Sequence, residues 1–139
     1  MESILKEILM DHVKSPKFRL KIENPTISVN SNNPVCGDVV KVDLKVDNEI
    51  ITEVGTSGNG CAVSQSSMSI LGEEIINSSV SEANIKILEF KSLFDQKENF
   101  EIVKLSEQAK YLKFLSSNPS KVRCALLSWT AVHEALLEF

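Results

Sequence analysis

Residues 39–47 read VVKVDLKVD, and in them Val40, Val42, Leu44 and Val46 alternate with Lys41, Asp43, Lys45 and Asp47. A period of two places the first set on one face of a strand and the second on the other, so one face is buried and the other meets water. Asp47-Asn48-Glu49 suits a hairpin turn, and residues 50–55, IITEVG, can return alongside. Upstream, residues 26–30, TISVN, read as a short first strand. A small antiparallel sheet of about three strands follows from these pieces.

Around this sheet the period changes to that of a helix. Ile4, Leu5, Ile8, Leu9 and Val13 recur at helical spacing over residues 3–13, and Ser15-Pro16 ends the run. Residues 57–60, SGNG, read as a flexible loop, and a helix is expected from near Ser64 past Met68, Leu71 and Ile75. Ser81 suits the cap of a short helix carrying Ile85, Leu88 and Phe90. A further helix is expected over roughly 100–115, with Val103, Leu105, Tyr111, Leu112 and Leu115. Asn118-Pro119 favours a helix start, since Asn caps well and Pro fits the first turn. The last helix then runs to the end through Leu126, Trp129, His133 and Leu136. No internal repeat, low-complexity tract or linker interrupts the chain. The expected class is α+β, a small sheet packed against several helices in a single domain over residues 1–139.

Composition excludes several function classes. The chain has 139 residues, 42% hydrophobic and 24% charged, as a folded globular domain requires. Its net charge is −4 and no basic stripe is present, which argues against nucleic acid as a partner. No apolar run approaches the roughly 18 residues of a membrane helix. The opening Met1-Glu2-Ser3-Ile4-Leu5-Lys6-Glu7 carries acids where a signal peptide would be basic and then apolar, so a cytoplasmic location is expected. Three cysteines cannot all pair within one chain, which favours free or metal-bound thiols in a reducing compartment.

Each cysteine has its own local reason to be reactive. In Cys36-Gly37-Asp38, residues two apart on extended chain point the same way, so a thiolate and a carboxylate can converge, with Gly37 leaving room for close approach. Zinc accepts both ligand types and usually takes four ligands. Cys61 follows Gly58-Asn59-Gly60 and precedes the helix expected near Ser64, whose N-terminus favours a thiolate. Cys124 lies early in the last helix beside Arg123, with Lys121 close, and cations also favour a thiolate. Against this stands the ordinary fate of a free cysteine, which is to be a small buried apolar residue. On the last helix the apolar face expected from Val122, Leu126, Trp129, His133 and Leu136 leaves Cys124 to one side.

Three stretches then make a pattern: Asn33-Pro34-Val35-Cys36-Gly37-Asp38, Gly58-Asn59-Gly60-Cys61-Ala62-Val63-Ser64 and Arg123-Cys124-Ala125-Leu126. In order and context they resemble the three cysteine motifs of the NifU N-terminal, IscU and SufU family. The opening Ile8-Leu9-Met10-Asp11-His12 with Lys14 and Pro16 resembles that family's first helix, so the likeness spans the whole chain. The resemblance implies a SufE/NifU-like fold and a role in iron–sulfur cluster assembly. It implies that Cys36, Asp38, Cys61 and Cys124 bind zinc and that Cys36 accepts persulfide sulfur from a pyridoxal-phosphate-dependent cysteine desulfurase of the SufS type, for downstream iron–sulfur assembly proteins. The alternative within the family is a scaffold that holds a transient [2Fe–2S] cluster on the same four residues, with Asp38 as the labile ligand.

Several features resemble the SufU type. Arg123 stands where IscU-type chains have a histidine, and Ser117-Asn118-Pro119-Ser120-Lys121-Val122 replaces their Leu-Pro-Pro-Val-Lys-like motif. The long separation of Cys61 and Cys124 resembles the SufU insertion, for which residues 81–100 are the natural place, and Trp129 fits the SufU tail. The chain departs from the SufU pattern in holding Lys121 and Arg123 in the opposite order to the usual Arg and Lys, and Lys does not reproduce a bidentate Arg contact. Val13 stands where an aromatic usually follows His12. His133 lies on an apolar helical face and reads as structural, nothing links His12 to a metal, and Glu73, Glu74, Glu98 and Glu101 read as a solvated helical face.

Overall fold

The computed structural model describes residues 3–95 and 101–139. Its elements are helix α1 (Ser3–Lys14), strands β1 (Ile27–Asn33), β2 (Asp38–Asp47) and β3 (Ile50–Asn59), then helices α2 (Ala62–Ile75), α3 (Val80–Ser92), α4 (Glu107–Lys110) and α5 (Pro119–Leu137). α4 runs directly into a 3-10 turn, Tyr111–Leu115. The strands form one antiparallel sheet in the order β1-β2-β3, so the class is α+β as the alternation in β2 implies. Val40, Val42, Leu44 and Val46 are buried, and Lys41 on the other face is exposed. The hairpin turns on Asn48 and Glu49, both at positive φ, the conformation that matches the twist of the flanking strands.

Both outer strands are longer than their composition suggests. β1 continues from the expected end at residue 30 to Asn33, and β3 continues through Ser57, Gly58 and Asn59, which are therefore strand and not loop. Backbone pairing decides this: Asn33 lies opposite Asp38, and Gly58 and Asn59 lie opposite Val40 and Val39. The extension carries both outer strands to the end of the sheet where Asp38 stands.

α2 packs against the sheet and is covered by α1 and α5. Trp129 of α5 is fully buried, stacks on Phe90 of α3 with ring centroids 3.7 Å apart, and donates its indole N–H to the Ser67 carbonyl at 3.1 Å and to the Ser67 hydroxyl at 2.9 Å. Three helices are thus pinned at one point without an orphaned indole. His12 is buried between the Ser69 hydroxyl and the Gln108 side-chain carbonyl, each 2.8 Å away, which joins α1, α2 and α4. His133 is buried with Lys91 Nζ 3.5 Å away, and burial, then the lysine's charge, lowers its pKa.

Four expectations about the helices need correction. Ser79, not Ser81, caps α3 by accepting from the Glu82 N–H at 3.1 Å, and Ile85 and Leu88 are exposed while Ala83, Ile87 and Phe90 are buried. Residues 101–105 are not helical. The buried Glu89 carboxylate takes the N–H groups of Val103, Lys104 and Leu105 at 3.0–3.2 Å, so these donors serve a side chain instead of a helix. Glu74 is likewise buried and accepts from Ser106 N–H at 2.7 Å; of the four acids expected on a solvated helical face, Glu73 and Glu101 are exposed, Glu101 outside any helix, and Glu98 lies outside the described residues. On α5 the buried residues are Cys124, Ala125, Ser128, Trp129, Val132, His133 and Leu136, so Cys124 sits on the buried stripe while Val122 and Leu126 are only half-buried. Among the described residues no helix is long and apolar enough to cross a membrane.

Candidate metal centre

The end of the sheet nearest α2 and α5 gathers three of the four expected ligands. Asp38 opens β2, is 2% exposed, and lies directly across from Asn33 at the end of β1. Between them residues 34–37 form a short exposed turn carrying Cys36. Asn33 builds this turn, its carbonyl accepting from Gly37 N–H at 2.8 Å and its Oδ1 from Val35 N–H at 3.2 Å. Gly37 is required for its left-handed φ of 75° and not for close packing, since an added Cβ would have nothing within 4 Å.

Cys61 is the N-cap residue of α2, which starts two residues before the expected Ser64. Its Sγ accepts from Ser64 N–H at 3.5 Å, and its own N–H donates to Asp38 Oδ1 at 3.0 Å. The other carboxylate oxygen, Asp38 Oδ2, faces Cys61 Sγ at 3.7 Å. Gly60 makes this approach possible, because a Cβ there would lie 2.4 Å from Ser64 Oγ and 3.0 Å from Asp38 Oδ1. Cys124 enters from the second turn of α5 and is 3% exposed.

One ligand atom from each of Asp38, Cys61 and Cys124 lies within 4.8 Å of the others. Cys36 stands outside that group, with its Sγ 3.5 Å from Ser120 Oγ near the start of α5. The cations expected to favour a Cys124 thiolate do not act that way. Arg123 is exposed, and burial first, then hydrogen bonding to Asp38 and Cys61 and their charge, holds the Cys124 thiol far above its ordinary range. A Cys124 thiol held protonated beside a second thiol and a buried carboxylate belongs to a donor set suited to a cation, whose charge reverses that preference. The side-chain amide nitrogen of Asn33, the residue paired with Asp38 across the strand ends, is buried and has no hydrogen-bond partner. Asp38, Cys61 and Cys124 therefore fit a metal that accepts mixed thiolate and carboxylate donors.

Residue pattern alone did not single out Asn33, Ser64 or Gly60. Asn33 and Gly60 stand beside cysteines in the quoted motifs, and Ser64 follows Cys61 by three positions, the offset of an N-cap partner.

A family model described as the NifU-like N-terminal domain matches residues 4–139. The zinc-dependent sulfurtransferase SufU of Bacillus subtilis is 28% identical, the match covering 98% of this chain and 91% of that protein. The iron–sulfur cluster assembly scaffold protein IscU of Thermotoga maritima is 32% identical, over 94% of this chain and 90% of that protein. Among solved structures, FiSufU of Fervidobacterium islandicum AW-1, described as an iron–sulfur cluster assembly scaffold protein for the SUF system, superimposes with a TM-score of 0.88 at 28% identity, over 98% of this chain and 99% of that one.

Proposed function

The chain belongs to the family of NifU-like N-terminal domains, and from that premise we propose that it is a zinc-dependent sulfurtransferase of the SufU type, receiving persulfide sulfur on Cys36 from a pyridoxal-phosphate-dependent cysteine desulfurase and passing it to downstream iron–sulfur assembly proteins. The observation that carries the reading is the division of the four residues. Asp38, Cys61 and Cys124 are gathered at the ends of β2, α2 and α5, while Cys36 rides an exposed turn. Three anchored ligands and one movable thiol suit a site that hands over a sulfur without dismantling itself. Arg123 before Cys124, where a histidine marks the IscU type, and the long Cys61–Cys124 separation support the same choice.

Zinc held by Cys36, Asp38, Cys61 and Cys124 would supply a redox-inert cation that keeps thiolates deprotonated. The transfer belongs to Cys36. Its thiolate attacks the terminal sulfur of the desulfurase's cysteine persulfide; the S–S bond there breaks, the desulfurase cysteine leaves as a thiolate, and Cys36 becomes the persulfide. One S–S bond forms as one breaks, so no external oxidant or reductant is consumed. The exposure of Cys36 admits the donor, and Asp38, fixed by the Cys61 N–H, keeps the remaining site charged and in place.

The 32% identity to a scaffold protein favours a second reading, in which the same four residues hold a [2Fe–2S] cluster as cargo. Desulfurase turnover with cysteine, with and without this protein, followed by mass analysis of Cys36, separates the two. Stimulated turnover and one added sulfur on Cys36, both lost in Cys36→Ser, are expected. Normal sulfur uptake by Cys36→Ser overturns the acceptor assignment, and a stable cluster without any persulfide replaces the sulfurtransferase reading by the scaffold one.

A further inference from the structure

We propose that Ser120 is the post that holds Cys36 in its sulfur-accepting position, a positioning residue for the transfer; this rests on the sulfurtransferase reading. Cys36 Sγ and Ser120 Oγ are 3.5 Å apart, although the residues are distant in sequence. A serine in the first turn of a helix ordinarily caps it or bonds to its own backbone. Here Asn118 does the capping, its Oδ1 taking the Lys121 N–H at 3.3 Å, and the Ser120 hydroxyl faces the Cys36 turn instead.

The second observation is the place of Ser120 on α5. Ser120 and Cys124 are four residues apart on one helix, so they share a face, one turn above the other. Cys124 belongs to the group with Asp38 and Cys61, in which Asp38 and Cys124 are buried and Cys61 is exposed. The face of α5 therefore presents Cys36 with two neighbouring seats about 6 Å apart along the axis: the Ser120 hydroxyl at the rim and the metal group one turn inward. The turn at 34–37 that carries Cys36 is short and exposed. In the outer seat Cys36 is free of the metal group and open to a partner's persulfide. Ser120 contributes no atom to the S–S exchange; it sets how often Cys36 is outside.

The test uses the zinc-loaded full chain with Ser120→Ala and Ser120→Thr, and needs no desulfurase for its first readout. Alkylation of Cys36 by iodoacetamide, followed by peptide mass spectrometry, reports the outer seat, because a metal-bound thiolate is protected. Loss of one modest hydrogen bond should slow Cys36 alkylation roughly three- to tenfold in Ser120→Ala, with zinc content and melting temperature unchanged. Ser120→Thr, which keeps the hydroxyl, should restore the wild-type rate. Sulfur uptake from a desulfurase should follow the same order. A wild-type rate in Ser120→Ala, or a Ser120→Thr as slow as Ser120→Ala, overturns the assignment. If the wild type takes up no sulfur while the alkylation difference persists, the sulfurtransferase reading fails and the Ser120 seat stands.

Discussion

Asp38 is engaged on both sides, one oxygen taking the Cys61 N–H and the other facing the Cys61 thiol. Such a side chain tolerates no displacement, and Gly60 stands nearest to causing one. A methyl group there would press on Ser64 Oγ and Asp38 Oδ1 together. Ser64 is 1% exposed and bonds the Cys61 carbonyl at 3.1 Å, so neither neighbour can retreat without losing a bond. Gly60→Ala is therefore expected to weaken zinc binding about tenfold, the scale of losses from disturbed outer partners of a metal. Chelator competition against the wild type measures it, and an equal affinity would show that Gly60 sets no geometry. This contact is of a kind that no local pattern encodes. Asp38, Cys61 and Cys124 are legible as candidate ligands because metal chemistry restricts which residues can serve, and their motifs name them. Gly60 is legible only as a neighbour of Cys61, and its requirement arises jointly from Ser64 of α2 and Asp38 of β2. Glu74 and Glu89 fail for the same reason, since their partners, the N–H groups of residues 103–106, come from a distant segment.

At the scale of elements, period reads best where one face decides everything. β2 alternates because one side is core and the other water, and its strand is recovered nearly to the residue. α5 is harder, because Leu126 and Leu127 spread apolar surface beyond one stripe and Cys124 counts as apolar only once burial is seen. The span 101–115 is misread as one helix because its apolar spacing suits one, whereas Glu89 claims three of its amides and Ser106 restarts the chain as α4, accepting from Ala109 N–H at 3.2 Å. This arrangement makes Glu89 the anchor of residues 103–105 ahead of α4. Glu89→Ala should cost about 3 kcal/mol, since it strands buried amides that a charged acceptor had satisfied. Urea unfolding measures the loss, and amide exchange at residues 103–105 should accelerate with it. Glu82, whose ion pair with Lys104 is exposed on both sides, provides the contrast; Glu82→Ala should change stability by under about 1 kcal/mol. Equal effects at the two positions would remove the special role of Glu89.

For the molecule as a whole, a metal held at the candidate centre would be a crosslink. It would join the first residue of β2, the N-cap of α2 and the second turn of α5, segments that meet only when the sheet and helices are assembled. A metal that binds the folded chain and not the unfolded one stabilises it by mass action, about 4 kcal/mol when free metal exceeds its dissociation constant a thousandfold. Chelation should then lower the melting temperature by roughly 10 °C, and pH should modulate the gap. In the metal-free protein the Cys124 thiol is raised above its unfolded value by burial and by Asp38 and Cys61. The unfolded thiol ionises from about pH 8.5 while the folded one stays protonated, so stability present below that pH is lost as pH rises further. In the loaded protein the thiolate is the bound form, and metal affinity grows as protons become scarcer. The difference in melting temperature between loaded and chelated protein is therefore expected to widen from pH 7 to pH 9. Cys124→Ala, which removes both the raised thiol and a ligand, should narrow that difference at every pH and flatten its slope. Calorimetric scans of the four samples at three pH values decide the matter: an unchanged melting curve after verified metal removal, or a gap that closes as pH rises, would show that the centre does not hold the fold together.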